Sequence, residues 1–600
     1  MAAVPPPPPR RADLLRIAAW LALVLAIAFA PQAHAAEPRS GYRVVIDAPA
    51  ALRDALQASL DLVRWQSFEG VTRDLLDRLM YEATEQAKDI LATQGFFSPV
   101  VTVALDDAPR AADELLTVKV QVEPGAATRV SKATVRITGP AATDVPMGTD
   151  AAAKAQGGWQ LPIGEIFRQA AWDDAKTVAV ATIAASPYAS AHIEHSKALI
   201  DPDALTAELA VDIASGPAFR FGEMEITGLK RYSTRVVRNF STIATGDLYE
   251  EEQLDRFVRR LNTSGYFASV QASIDTDPEQ AGSAAIRVSV IEGPPKHFEG
   301  GLAFSTDTRI RGNFLYRDVN VDGEATQLTI EGRADSKIQN LSLRFVRPPN
   351  DNRYIDSAEA KVERSDIEGL RTLTASAGVT RRTVEERNHT AYRIFYYEDD
   401  QQPDGAPAVR SHALNLELER TWRNVDDLIA PTRGYVLSTR IGGGPPGVST
   451  RTYGRGIVQF ASWHPVGRVS TLNLRAEAGA VAAKSRDGIP SALLFRTGGD
   501  TTVRGYAFES LGPQVADATV GGRYYAIASA EAIRYFTSLW GMALFVDAGN
   551  AADEVSSFRP VFGYGTGLRV RSPIGPLRVD LAYGHETGKV RLHMSVGVSF

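Results

Sequence analysis

The sequence predicts three small α+β repeats followed by an all-β transmembrane barrel of about sixteen antiparallel strands. Two observations predict this organisation. A fixed order of strand, helix and strand patterns recurs between residues 42 and 295, and alternation of apolar and polar residues then continues to the last residue. With 600 residues the chain also exceeds what a single hydrophobic core can organise, so several domains are expected.

Composition excludes several classes of function. The formal net charge is −6, from 65 basic and 71 acidic residues, so no basic excess exists to draw the chain onto nucleic acid or anionic lipid. Cysteine is absent, which excludes disulfide frameworks, cysteine-ligated metals and thiol nucleophiles. Nucleic acid is therefore not an expected partner.

Residues 1–35 are predicted to be a cleaved signal peptide. Arginines precede the apolar run 17–30, and small residues stand at Ala33 and Ala35, the positions that a signal peptidase reads. A transmembrane anchor is the alternative, but 14 apolar residues fall short of the ~20 that a helix needs to cross a bilayer. We expect cleavage after Ala35.

The repeats share one order of elements: strand, helix, a turn with aromatic residues, and two closing strands. The first copy contains a strand at 42–46, a helix at 75–94, Gly95, a second strand opened by Phe96 and Phe97, and a third strand at 116–122. The third copy contains a strand at 219–226, a helix at 250–262, Gly265-Tyr266-Phe267 and a closing strand at 286–290. The middle copy is weaker, with Pro187-Tyr188-Ala189 at the turn. We interpret the Gly–aromatic motifs as helix caps and core aromatics and not as a binding site.

This order, closed by Glu-x-Gly or a similar turn, resembles the polypeptide-transport-associated (POTRA) domain. The predicted domains are POTRA 1 at 36–127, POTRA 2 at 128–218, POTRA 3 at 219–296 and the barrel at 297–600.

After Pro295 the period becomes two residues. In the closing segment, Leu592, Met594 and Val596 fall on one face. Arg591 and His593 fall on the other. A sandwich of two sheets also alternates, but segments of about ten residues that end in Phe600 fit a membrane barrel better. An even number of strands lets both ends of the sheet meet in lipid.

The longest stretch without alternation lies between Val481 and Val520 and contains Val503-Arg504-Gly505-Tyr506. This tetrapeptide resembles the loop motif of the bacterial BamA and TamA barrel superfamily. The resemblance implies that the loop folds back into the barrel lumen, where acidic residues of the wall hold the arginine. Supporting segments occur at 529–531, 546–549 and 567–580.

Asp547 and Glu531 are the predicted carboxylate partners of Arg504. Alternation itself directs Asp547 inward, because Leu544 and Val546 take the lipid face. For Glu531 the inward direction is implied by the resemblance alone. The alternative is that Arg504 is a solvated loop residue.

No catalytic, cofactor-binding or metal-binding residue is predicted. The sequence contains no Gly-x-Ser-x-Gly, His-Glu-x-x-His or phosphate-binding Gly-Lys-Ser/Thr motif. The segment from His192 to His195 lacks a third ligand nearby, and the glycines at 442–447 form a turn between strands. An enzyme is the least supported class.

The resemblance implies a protein of the outer membrane with periplasmic POTRA domains, and three repeats point to the TamA-like branch. It further implies unfolded outer-membrane proteins, especially autotransporters, as clients, outer-membrane lipid around the barrel, and a TamB-like inner-membrane-anchored partner. A seam between the first and last strands would open sideways, weakened by Gly300, Gly301 and Gly597, and Phe600 would act as a sorting and closure signal. A BamA-type general assembly factor, a two-partner secretion transporter and a passive channel are the alternatives.

Overall fold

The computed structural model describes residues 42–596 except 69, 107–115, 145–146, 306–308, 429, 468 and 573–574. The predicted signal peptide, Gly597 and Phe600 lie outside the described residues. The chain divides into two compact units, Met1–Ala184 with Ser190–Gly216, and Ala185–Ala189 with Pro217–Phe600.

The first unit opens with a three-stranded sheet and its helices. The elements are β1 (Tyr42–Asp47), α1 (Ala50–Ser59), α2 (Asp61–Arg64), α3 (Arg73–Thr93), β2 (Val100–Leu105) and β3 (Leu116–Glu123). The strand order is β1-β3-β2, with β1 parallel and β2 antiparallel to β3, so β1 and β2 are the edges. Leu79, Ala83 and Ala87 are buried because their helical spacing places them on one face of α3.

The start of β2 corrects one prediction. Gly95 adopts a left-handed φ of 93°, and the amide of Phe96 donates to the carbonyl of Leu91 at 3.0 Å. Phe96 therefore belongs to the cap of α3, and the second strand begins at Val100, not at Phe96.

The second sheet of this unit has the same plan, although its sequence signal is weak. Its elements are β4 (Arg129–Thr138), α4 (Met147–Gly157), α5 (Gln169–Ala184), β5 (His192–Asp201) and β6 (Thr206–Ala214). The order is β4-β6-β5, again with the last strand in the centre. Among the described residues, no group of three or more His, Cys, Asp or Glu side chains is arranged to hold a metal ion.

The second unit begins with the third repeat. Its elements are β7 (Phe221–Thr227), α6 (Thr234–Asn239), α7 (Glu251–Thr263), β8 (Phe267–Ile274) and β9 (Ala284–Glu292), in the order β7-β9-β8. Tyr266 is buried in this core, and its hydroxyl donates to the carbonyl of Ala325, in a barrel turn, at 2.7 Å. Val319 and Ile355 of the barrel belong to the same apolar core. The third repeat and the barrel are thus packed as one body.

Sixteen antiparallel strands form the barrel sheet. The first eleven are β10 (Lys296–Ser305), β11 (Arg309–Asp318), β12 (Gln327–Ala334), β13 (Ile338–Val346), β14 (Tyr354–Ile367), β15 (Leu370–Thr383), β16 (Asn388–Pro403), β17 (Val409–Val425), β18 (Gly434–Gly444), β19 (Tyr453–Val466) and β20 (Ser470–Ala482). A short hairpin of β21 (Gln514–Val515) and β22 (Ala518–Thr519) lies in the long loop. The last five are β23 (Tyr524–Tyr535), β24 (Trp540–Ala552), β25 (Val561–Ser572), β26 (Gly575–Gly584) and β27 (Lys589–Val596).

Each barrel strand pairs with its neighbour in sequence, except that β20 pairs with β23 across the long loop. In the described part of the chain, β10 and β27 stand at the two ends of this order. Side chains alternate between faces, as on β24, where Leu544 is 67% exposed and Asp547 is fully buried. Among the helices that the structure describes, none is long and apolar enough to cross a membrane.

Candidate functional site in the barrel lumen

The loop between β20 and β23 is bonded to the barrel at several places. Near its start, the amide of Ser491 donates to Asp399 of β16 at 2.7 Å. Arg455 of β19 donates to the carbonyl of Leu493 at 3.1 Å. Asp399 is 1% exposed, so this contact lies in the interior of the barrel. A further attachment is the Val503-Arg504-Gly505-Tyr506 motif.

Arg504 is the centre of a buried charged cluster. Its Nε and Nη2 donate to the two carboxylate oxygens of Asp547 at 2.7 and 2.9 Å, so the pair is bidentate. Its Nη1 donates to Glu531 at 2.7 Å and to Asp580 at 3.1 Å. The backbone amide of Arg504 also donates to Asp547, at 3.0 Å. The structure therefore places the arginine against both predicted carboxylates and adds a third.

Arg569 on β25 completes this cluster from the wall. It donates from Nη2 and Nε to Glu531 at 2.8 and 3.0 Å, and from Nη1 to Asp580 at 2.5 Å. We call Arg504, Glu531, Asp547, Arg569 and Asp580 the lumen cluster. Sequence reasoning assigned no role to Arg569 or Asp580, although in the period-two pattern Arg569 shares a face with Gly567 and Arg571, and Asp580 with Arg578.

The lumen cluster contains two guanidinium groups and three carboxylates, all almost fully buried. Taking these charges out of water is costly, and the mutual hydrogen bonds offset that cost only while every partner is present. Phe545 adds to the support of the arginine, whose Cζ lies 3.4 Å from the ring centroid. The site is therefore a buried anchor for the loop.

The other residues of the motif pack closely against the barrel wall. Val503 is fully buried and packs in a cluster with Tyr506 and Ile527. Gly505 has a φ of 93°, and a Cβ there would lie 2.6 Å from the backbone nitrogen of Gly584 on β26. Only glycine fits this close approach of loop and strand.

Two further contacts hold the motif. The hydroxyl of Tyr506 donates to the carbonyl of Phe562 at 3.1 Å and accepts from the amide of Glu586 at 3.1 Å. The amide of Gly505 donates to Nε2 of His593 on β27 at 3.1 Å, which requires that nitrogen to be unprotonated. Through His593, the loop is connected to the last strand of the sheet.

The seam residues are not part of this cluster. Gly300 and Gly301 lie on β10, where they face Phe314 and Asn313 of β11. Gly597 and Phe600 lie outside the described residues. The proposed roles of all four stay predictions.

In the third repeat, the closing Glu292-Gly293-Pro294 turn has a structural role. Glu292 accepts from the amides of Lys230 and Arg231 at 2.8 Å each, from the amide of Tyr232 at 3.2 Å and from Nε of Arg231 at 2.8 Å. Burial by itself would raise the pKa of Glu292, but the Arg231 guanidinium and the three amides outweigh it and lower the pKa to about 2. The carboxylate therefore fastens the loop after β7 to the end of β9.

Known proteins share both parts of this architecture. Residues 320–600 match the Omp85 superfamily domain, and residues 219–293 match the POTRA family, described as a surface antigen variable number repeat. The crystal structure of BamA from Haemophilus ducreyi lacking POTRA domains 1–3 superposes with a TM-score of 0.51 at 16% identity, covering 78% of this chain and 98% of that chain. This likeness concerns the fold.

Curated relatives are similar at low identity. The outer membrane protein assembly factor BamA of Nitratidesulfovibrio vulgaris is 24% identical over 379 residues, 60% of this chain and 47% of the relative. BamA of Neisseria meningitidis is 23% identical over 447 residues, 63% of this chain and 56% of the relative. The chain thus spans about half the length of the curated relatives it matches. With a barrel that matches the Omp85 superfamily domain and a POTRA repeat directly before it, the chain is an outer-membrane protein whose POTRA domains lie in the periplasm.

Proposed function

We propose that this protein translocates and assembles outer-membrane proteins, autotransporters in particular, with a TamB-like inner-membrane-anchored protein as partner. The observation that carries the proposal is the lumen cluster, in which Arg504 of a loop motif typical of assembly barrels belongs to a network of five buried charged residues. A barrel that serves only as a passive channel has no need for so costly an anchor.

The periplasmic repeats supply the means of client recognition. In the first repeat, β2 is an edge strand of the sheet, and Val100 at its start is 61% exposed. An edge strand offers unpaired amide and carbonyl groups to which an unfolded chain adds as a further strand. Main-chain pairing tolerates many client sequences, and the client's own folding in the membrane supplies the driving force.

The seam between β10 and β27 is the proposed exit into the membrane. Gly300 and Gly301 remove side-chain packing from β10, which lowers the cost of separating this strand from its neighbours. The contact between Gly505 and His593 joins the anchored loop to β27, so the state of the lumen cluster would influence the seam.

Photo-crosslinking in cells tests the proposal. A photoreactive amino acid at Val100 should capture unfolded outer-membrane proteins. The same group at Tyr81, which is 82% exposed on α3 and not part of the sheet, is the matched control. Equal capture at the two positions, or no client at Val100, would contradict recognition at the edge strand.

The partner that crosslinks to the first unit separates the two nearest functions. A large inner-membrane-anchored protein supports the TamA-like function. A set of assembly lipoproteins instead supports a general assembly factor, the function in the name of the curated relatives.

A further inference from the structure

The outward face of the first barrel strands carries a charged residue that no part of the proposed function uses. Arg364 lies on β14 three residues before its end at Ile367. It shares its face with Val362, which is 51% exposed, and its cross-strand neighbour Leu373 is 53% exposed. Arg364 therefore stands at the upper border of the apolar belt, on the side away from the periplasmic repeats.

Arg364 differs from other outward-facing arginines in its surroundings. Arg371, Arg381 and Arg410 each form an ion pair with an aspartate. Within the part of the chain that the structure describes, Arg364 has no carboxylate at ion-pair distance. At the border of the belt the guanidinium can reach the headgroup region, where a lipid phosphate can supply the anion that the described chain does not.

An apolar groove begins beside this arginine. It has a volume of about 700 Å³, within the range typical of ligand pockets, and its outward-facing lining includes Leu302, Phe314, Ala334 and Leu341. The strand register explains the depression, because the cross-strand row from β13 to β11 holds Gln339, Ala334 and Gly312. Small side chains at two of these positions leave the wall recessed between larger neighbours.

We propose that Arg364 and this groove bind a membrane lipid with an anionic phosphate headgroup. The guanidinium pairs with the phosphate through two parallel hydrogen bonds, and an acyl chain lies in the groove toward β10. The charge complementarity selects a lipid over an apolar protein segment, since a segment without an anion would leave Arg364 unpaired.

The far end of the groove lies at β10, the first strand of the barrel sheet and one side of the proposed seam. Leu302 of β10 is 86% exposed and forms the far wall of the groove. A lipid bound here contacts the first strand of the sheet directly, and its presence stabilises that strand against the membrane.

Native mass spectrometry of the full chain in detergent tests the site. The protein is titrated with phosphatidylglycerol or with phosphatidylcholine of the same acyl chains. One guanidinium near an anionic headgroup corresponds to a preference of about fivefold for phosphatidylglycerol. Arg364→Gln should abolish this preference. Arg364→Lys, which keeps the charge, and Arg381→Gln, which removes an arginine that already has a carboxylate partner, should retain it.

The groove is tested separately by Gly312→Leu. A Cβ at this glycine would meet only the Leu302 side chain, at 4.0 Å, so the larger residue fills the groove without a backbone conflict. We expect weaker binding of both lipids, and heat-modifiable migration monitors folding of each variant. Equal binding of both lipids by the natural chain, an unchanged preference in Arg364→Gln, or full displacement of the lipid by inorganic phosphate would each overturn the proposal.

Discussion

Replacing Arg504 by alanine should release the long loop from the barrel wall. The change removes hydrogen bonds to Asp547, Glu531 and Asp580 and leaves three buried carboxylates with Arg569 as the remaining guanidinium of the cluster. Removing one partner of a buried pair costs about 3–5 kcal/mol. Since each 1.4 kcal/mol is a factor of ten, detachment of the loop should become more than about a hundredfold easier.

Hydrogen exchange measures this detachment directly. The amide of Gly505 donates to His593 only while the loop is seated, so its protection should fall by a similar factor in Arg504→Ala. Arg504→Lys should recover only part, because an ammonium cannot engage Asp547 through two parallel bonds. Arg410→Ala is the matched control: the Arg410 side chain is 88% exposed, and an exposed pair is worth at most about 1 kcal/mol. Unchanged protection in Arg504→Ala would refute the anchoring argument, and normal client assembly by that variant would refute its functional role.

Three other outcomes are expected. Gly563→Ala should dislodge the loop without removing a charge, because its Cβ would lie 1.9 Å from the carbonyl oxygen of Arg504. Gly456→Ala, where the space is open, should leave the loop in place. The rate of protease cleavage within the loop compares the two variants. The third repeat should lose stability as pH falls from about 4.5 toward 2. The pKa of Glu292 is lower in the folded state than in the unfolded state, so the ionised carboxylate stabilises the fold above the unfolded pKa and this contribution disappears on protonation. Glu292→Gln should flatten that pH dependence in chemical unfolding monitored between pH 7 and 3. Deleting Phe600 should lower the yield of heat-modifiable barrel in membranes, and an unchanged yield would argue against its role as a sorting signal.

Local periodicity predicted the elements well where one face is buried. The helical spacing of Leu79, Ala83 and Ala87 corresponds to the buried face of α3. The prediction that Phe96 opens a strand was wrong, because an aromatic residue after glycine suits both a strand and a helix cap, and the backbone hydrogen bond to Leu91 decides between them.

The direction of Glu531 shows the limit of pattern reasoning within the barrel. Its face also holds Ile527 and Ile533, which are buried although they point into the lumen. Ile527 is covered there by Val503 and Tyr506 of the loop. A strand whose inner face is partly covered by a loop loses the polar and apolar alternation on which the prediction depends.

The sequence by itself determined the order of the domains, the face to which Asp547, Arg569 and Asp580 point, and the loop motif that carries Arg504. The tertiary structure decided which of these charges meet. A period of two residues shows on which face of a strand a side chain lies, but not its height along the barrel. That height follows from the register between strands. Phe545 faces Glu531 on β23 and Gly565 on β25, while Gly567 on β25 faces Asp580 on β26. Those pairings bring charges from four strands within a few residues of one another in height, because register is set by hydrogen bonds between strands and not within them.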